Sequence, residues 1–348
     1  MAHAGKWKDY RLNAANSEQA EKRGLVSAHW FRCEVPRAQM KQLMQRSDAQ
    51  GLRHMAIWLA LLTASGVAAW HSHGSWWCLP AFFLYGTLYS VSDHCAHELS
   101  HGTPFKTPWL NNVFYQLASF MTLHESVYWR WSHARHHTDT IIVGRDREIA
   151  FPRPARPLAI LFDAFFLPGG LQEIARTVRH AMGSLSEETR SFIPDSEIRK
   201  LVWSSRIYTL LFAGLIAWCV LAQSILPALF IVLPRFYGAL LPLLFNMTQH
   251  TGLAEDVLDH RLNTRTMYLN PVFEFLYMKM NYHLEHHMFP MVPFHALPRL
   301  HAAIREQSPP AYGSLWAAYA DIVPAVLRQR EEPGHVIARE ASSEVYCQ

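Results

Sequence analysis

The chain has 348 residues, a formal net charge of +4 and only 17% charged side chains, with half of its residues apolar; soluble domains carry roughly 25% charge. The shortfall in charge points to lipid contact. The mild net charge, with no Lys/Arg stripe interleaved with aromatics, excludes nucleic acid as a partner. Five scattered cysteines (Cys33, Cys78, Cys95, Cys219 and Cys347) with no C-x-x-C pair exclude a disulfide framework and read as free thiols in a reducing compartment.

Residues 1–54 carry ten Lys/Arg and no long apolar run, which predicts a cytosolic arm, helical around Pro36 to Arg53 and without a signal peptide. Two apolar runs follow, about 55–71 and 76–92, joined by the uncharged turn HSHGS. Each is slightly short of the ~20 residues that cross a bilayer, and together they predict a helical hairpin. Residues 93–206 are polar, with 13 Lys/Arg, apart from Val113–Met121 and Leu158–Gly170, which are too short to span and are expected in the interface. A second apolar hairpin is expected over about 207–222 and 225–247, its second member interrupted by Pro227, Pro234 and Pro242. The remaining hundred or so residues are polar again. Lys and Arg collect in the arm, the middle segment and the tail, and are missing from both short outer connections. The positive-inside rule therefore puts both termini and the middle segment in the cytosol, with four spans. Arg235 lies inside the fourth apolar stretch, a costly position for a charge, and is read as a structural cation in preference to a substrate contact.

Four histidine clusters punctuate this layout: HCAHELSH (His94, His97, His101), HARHH (His133, His136, His137), NMTQH (Asn246, His250) and HLEHH (His283, His286, His287). Residues three and four apart share a helix face, so each cluster presents its nitrogens to one side. By the span assignment all four fall on the cytosolic side. HELSH alone matches H-E-x-x-H, the helix of a zinc protease, with two histidines on the metal and the glutamate as base. A tetrahedral zinc with an open position takes three protein ligands. At least nine histidines at matching spacings are too many for that and suit two ions; imidazole accepts Zn, Cu, Fe or Ni.

As a set, HELSH, HARHH and HLEHH resemble the three histidine boxes of the membrane fatty acid desaturase and hydroxylase superfamily. NMTQH resembles that family's additional histidine, with an upstream Asn. The flanking stretches HGTPFKT, WRWSHARHHTDT and MNYHLEHHMFPMVPFHALPRLH are also similar, and the resemblance covers about 55–305. It implies an all-α, integral membrane protein with four transmembrane helices in two hairpins and a cytosolic helical cap carrying a di-metal site. It divides the chain into an arm (1–54), a catalytic domain (55–305) and a cytosolic tail (306–348). It implies two iron ions held by His97, His101, His133, His136, His137, His250, His283, His286 and His287, with Asn246 acting through a water. His94 is a possible further ligand, and Glu98 and Glu285 are assigned supporting roles. The implied reaction is O2-dependent removal of hydrogen from an unactivated C–H bond of a fatty acyl or related lipid chain. No cytochrome b5-like or iron–sulfur segment is visible, so electrons are expected from a separate donor of ferredoxin, rubredoxin or cytochrome b5 type. His124, His260, His295 and His301 lie outside the pattern and read as surface or hydrogen-bonded histidines. Tyr128, Trp129, Trp131 and Tyr282 fit either a substrate channel or an interfacial belt. The boxes do not separate a desaturase from a hydroxylase on the same scaffold. A zinc protease built on HELSH and a non-catalytic metal carrier are the rivals from other classes.

Overall fold

A computed structural model describes residues 7–27 and 29–340; Cys347 lies outside them. The described chain is helical and contains no strand among those residues, only two isolated bridges, Thr266–Tyr282 and Met267–Tyr312. It divides into two compact units, residues 47–131 with 157–244, and residues 1–46 with 132–156 and 245–348.

The first of these is the apolar unit. Among the described residues two stretches are long and apolar enough to cross a membrane, Arg37–Ser72 and Asp195–Leu221. Within the former, the continuous helix is Asp48–Ser72, started by Ser47, whose hydroxyl accepts the Gln50 amide. These hold the first and third expected spans. The second and fourth are shorter or broken. The helix Cys78–Ser90 has 13 residues and ends at Val91, where a new helix, Ser92–Ser100, begins. The stretch expected at 225–247 is split into Leu226–Ile231, Pro234–Tyr237 and a helix starting at Leu240. Proline removes a helical N–H and crowds the preceding turn, so Pro227 and Pro234 each open a new helical segment. Carbonyls around these breaks accept hydroxyls from Cys78–Ser90 and from Tyr237, as an apolar environment requires. Tyr85 donates to Phe230 O at 2.8 Å, Ser90 to Pro234 O at 3.1 Å, and Tyr237 to Leu229 O at 2.8 Å; Tyr89 donates to Ile231 O. A further bent pair, Pro157–Asp163 and Leu167–Ala181, turns by 67° and counts as a third candidate crossing only if taken as one span. Its first helix lies in the stretch the sequence assigns to the interface.

Gly238 is required by contact. A Cβ there would lie 1.9 Å from the carbonyl of Gly86, so the two backbones meet directly, as small residues allow between membrane helices. Beside this contact Arg235 is buried, with its guanidinium 3.5 Å from Asp93 and 4.2 Å above the Phe166 ring. Asp93 opens the helix that carries His94, His97 and His101. Arg235 is thus a structural cation, as its sequence context suggests. Replacing it with Leu leaves the Asp93 charge buried and is expected to cost about 3–5 kcal/mol. Thermal unfolding in detergent should show the loss, with Arg235→Lys closer to wild type.

The second, histidine-rich unit is built from short helices and tight loops. It includes the end of the helix Ser126–Thr138, the end of Leu240–His250, and the helices His260–Asn263, His283–Met288, Leu297–Ile304 and Leu315–Arg328. The N-terminal segment belongs to it. Lys8 and Arg23 pair with Asp256 at 2.8 and 3.0 Å, and Asp256 also accepts the Val143 amide at 2.9 Å. Arg265 is fully buried and donates to Thr248 O and Thr251 O at 2.6 and 2.9 Å. It closes the carbonyl end of the helix that carries His250, where a cation also meets the negative end of the dipole. Burial pulls its pKa down to about 10, which leaves it charged at neutral pH.

Candidate metal centre

Seven of the nine candidate histidine ligands lie in the histidine-rich unit and form two adjoining groups. His136, His250, His283 and His287 each offer a ligand atom within 4.8 Å of the others, and so do His133, His137 and His286. The groups touch where the rings of His137 and His287 stack at 4.3 Å, and within the second group the rings of His137 and His286 meet edge-on at 4.8 Å. Helical spacing brings this about: each H-x-x-H-H box puts its three rings on one face of its helix.

The hydrogen bonds at the outer ring nitrogens decide what these rings can do. His250 Nδ1 lies 2.7 Å from Asn263 O, and a carbonyl only accepts, so the proton is on Nδ1 and Nε2 is a bare lone pair. Thr140 donates its hydroxyl proton to His136 O at 2.7 Å, so at 3.1 Å it accepts from His287 Nδ1, leaving His287 Nε2 bare as well. Both bare nitrogens face His283 Nε2, at 3.2 and 3.1 Å. One proton on His283 could satisfy only one of these contacts, whereas a cation satisfies all three lone pairs. Burial pushes the pKa of both His250 and His287 well down, which keeps them neutral and available as ligands.

Two carboxylates from the loop after HARHH hold the remaining outer nitrogens. His136 Nδ1 is 2.8 Å from Asp146 Oδ2 and His133 Nδ1 is 3.0 Å from Glu148 Oε2. Such partners fix the ring and raise its basicity toward a metal. Asp146 is itself locked by the amides of Ile141 and Glu148 at 2.7 and 2.8 Å, and Glu148 accepts from Ser132 at 2.9 Å. Burial pushes the Glu148 carboxyl up to about 7, while burial lowers His136 and the Asp146 charge more than reverses that. In the second group His133 Nε2 and His137 Nε2 approach to 3.2 Å. This donor set of imidazoles fits an imidazole-bound transition metal pair, iron included.

Asn246 is half-buried one turn before His250 on the same helix, its Oδ1 3.5 Å from Gln249 Nε2. Glu285 is occupied by Thr266 and His301, both at 2.5 Å, which suits the supporting role expected of it. Sequence reasoning missed Asp146, Glu148, Thr140 and Asn263. It also set aside His260, whose buried ring lies 5.3 Å from that of His287 and stacks on Trp30 at 4.4 Å. The only signal in the sequence was the acidic pair in GRDRE shortly after HARHH.

In the apolar unit, His97 and His101 share the end of Ser92–Ser100, with ring centroids 6.0 Å apart; His94 is buried one turn earlier. Glu98 is fully buried and accepts the Thr103 hydroxyl at 2.8 Å, engaged in structure as expected. Tyr128 donates to Glu188 at 2.9 Å beneath the Arg176 guanidinium, and Trp129 stacks on His124 at 4.2 Å.

Residues 74–319 match the fatty acid desaturase family, more than two thirds of the chain and all four histidine clusters. The chain belongs to the fatty acid desaturase family. Its membrane-length apolar stretches and histidine groups fit this membership, which makes it a membrane-associated oxidoreductase. No curated protein matches the chain. A single-zinc protease, the rival from another class, would leave the two H-x-x-H-H groups without a purpose.

Proposed function

We propose that the protein is a membrane di-iron, O2-dependent oxidoreductase that desaturates a fatty acyl or related lipid chain. The observation that carries this reading is the convergence of seven imidazoles in two adjoining groups, braced from outside by Asp146 and Glu148. His136, His250, His283 and His287 are assigned to one iron, and His133, His137 and His286 to the other. His97 and His101 are assigned as ligands from the resemblance of HELSH to the first histidine box, with His94 as a possible addition and Asn246 as a water-mediated partner. Bound iron supplies, with O2 and electrons from a separate donor protein, the power to remove hydrogen from an unactivated C–H bond. The chain's own part is to hold the imidazoles oriented, through Asn263, Thr140, Asp146 and Glu148, with burial keeping His250 and His287 neutral. Burial of His133, His136, His283, His286 and His287 excludes bulk water from the same place. Four spans in two hairpins, with both termini and the metal centre cytosolic, agree with the Lys/Arg distribution.

Product analysis tests the reading. The purified protein should contain two irons and no stoichiometric zinc. With lipid, O2 and a reduced donor it should yield an alkene. An alcohol as sole product would assign it to the hydroxylases on the same scaffold, and one zinc with peptide cleavage would refute the di-iron reading.

A further inference from the structure

The histidine-rich unit carries a groove of about 470 Å³ lined by Arg32, Cys33, Val35, Arg37, Met40, Lys41, Met44 and Phe289. Three of these are exposed cations and none is acidic. The apolar part is led by flexible methionines, which adapt to varied partners. The groove adjoins the metal centre directly. Phe289 is the C-cap of the His283–Met288 helix, and the Cys33 amide donates to the Met288 sulfur at 3.1 Å. Two residues before Arg32 stands Trp30, half-buried at the surface. Its ring lies parallel to that of His260 at 4.4 Å, and His260 lies 5.3 Å from His287. Two short ring-to-ring steps thus lead from the surface to a candidate iron ligand, beside a patch of positive charge.

Resting on the di-iron reading, we propose that this face, from Trp30 to Met44 with Phe289, is the docking surface for a small acidic one-electron carrier protein, and that electrons pass through Trp30 and His260 to His287. In each encounter the carrier's reduced centre loses one electron, and a ferric ion held by the His136, His250, His283 and His287 group is reduced to ferrous. No bond is made or broken, and two encounters supply the pair one turnover consumes. Opposite charge steers such encounters and sets their salt dependence.

The test uses the full-length, iron-loaded protein in detergent and reduced plant-type [2Fe–2S] ferredoxin as the probe, following ferredoxin oxidation by stopped flow and its affinity by titration. Combined Arg32→Glu, Arg37→Glu and Lys41→Glu should weaken the Kd at least about tenfold at low salt, a difference that shrinks as salt screens the surface. Reduction by dithionite with a neutral mediator should be unchanged. Trp30→Leu should leave Kd unaltered and slow the electron-transfer rate at saturation several-fold, with Trp30→Phe retaining most of it. Wild-type Kd and rates in all variants would overturn the proposal. So would a triple variant that lost affinity for anionic-lipid vesicles while keeping its ferredoxin Kd, since the groove would then serve a lipid surface. Failure of the wild-type protein to be reduced even by dithionite would instead overturn the di-iron reading on which the route rests.

Discussion

Replacing His283 with Ala is expected to leave the protein with one iron or fewer per chain and to lower product formation by more than about 100-fold. His283 Nε2 is the nitrogen that both His250 Nε2 and His287 Nε2 face, at 3.2 and 3.1 Å. Removing it deletes the middle donor of its group. Losing an outer partner of a metal-bound histidine costs about 10–100-fold in affinity or activity, and losing a donor atom itself should exceed that range. His286→Ala is expected to act in the same way on the other group. Metal content by elemental analysis, with circular dichroism to show that helix content is retained, checks both. Unimpaired turnover in His286→Ala would remove the H-x-x-H-H boxes from the chemistry and revive the HELSH protease.

The second large effect is expected at a residue that touches no lipid and binds no metal. Asp146→Asn should lower iron affinity by about 10–100-fold while helix content and expression stay near wild type. The Asn oxygen can still accept the Ile141 amide, while its amino group cannot replace the oxygen that accepts the Glu148 amide. What it loses is the negative charge 2.8 Å from His136 Nδ1, which holds the proton on that nitrogen and the lone pair on the other. Glu148→Gln should do the same at His133. Competition with a calibrated chelator measures the affinity directly and separates this effect from a catalytic one. An unchanged affinity in both variants would show that the carboxylates serve packing alone.

The contrast between the histidines and their carboxylates shows what can be read from a linear chain. The boxes were legible because helix geometry is local: three- and four-residue spacings already put His133, His136 and His137, or His283, His286 and His287, on one face. The apolar stretches Arg37–Ser72 and Asp195–Leu221 were legible for a similar reason, as runs of composition. The breaks in the fourth stretch were signalled by Pro227 and Pro234, but the hydroxyls of Tyr85, Tyr89 and Ser90 that donate to carbonyls around them were not. Nor was the choice of Asp93 as partner for Arg235. His260 looked like any histidine outside the pattern, and only its stacking on Trp30 and nearness to His287 mark it.

The sequence by itself determined the chemistry on offer: imidazoles in metal-binding spacings and apolar stretches that call for a membrane. Tertiary structure alone decided which nitrogen of each ring carries its proton, because Asn263, Thr140, Asp146 and Glu148 reach their histidines from 10 to 147 positions away in the chain. Periodicity fixes the direction in which a side chain points along its own helix. A carbonyl or carboxylate brought from elsewhere in the chain fixes what that side chain can bind, and that approach exists only once the chain has folded.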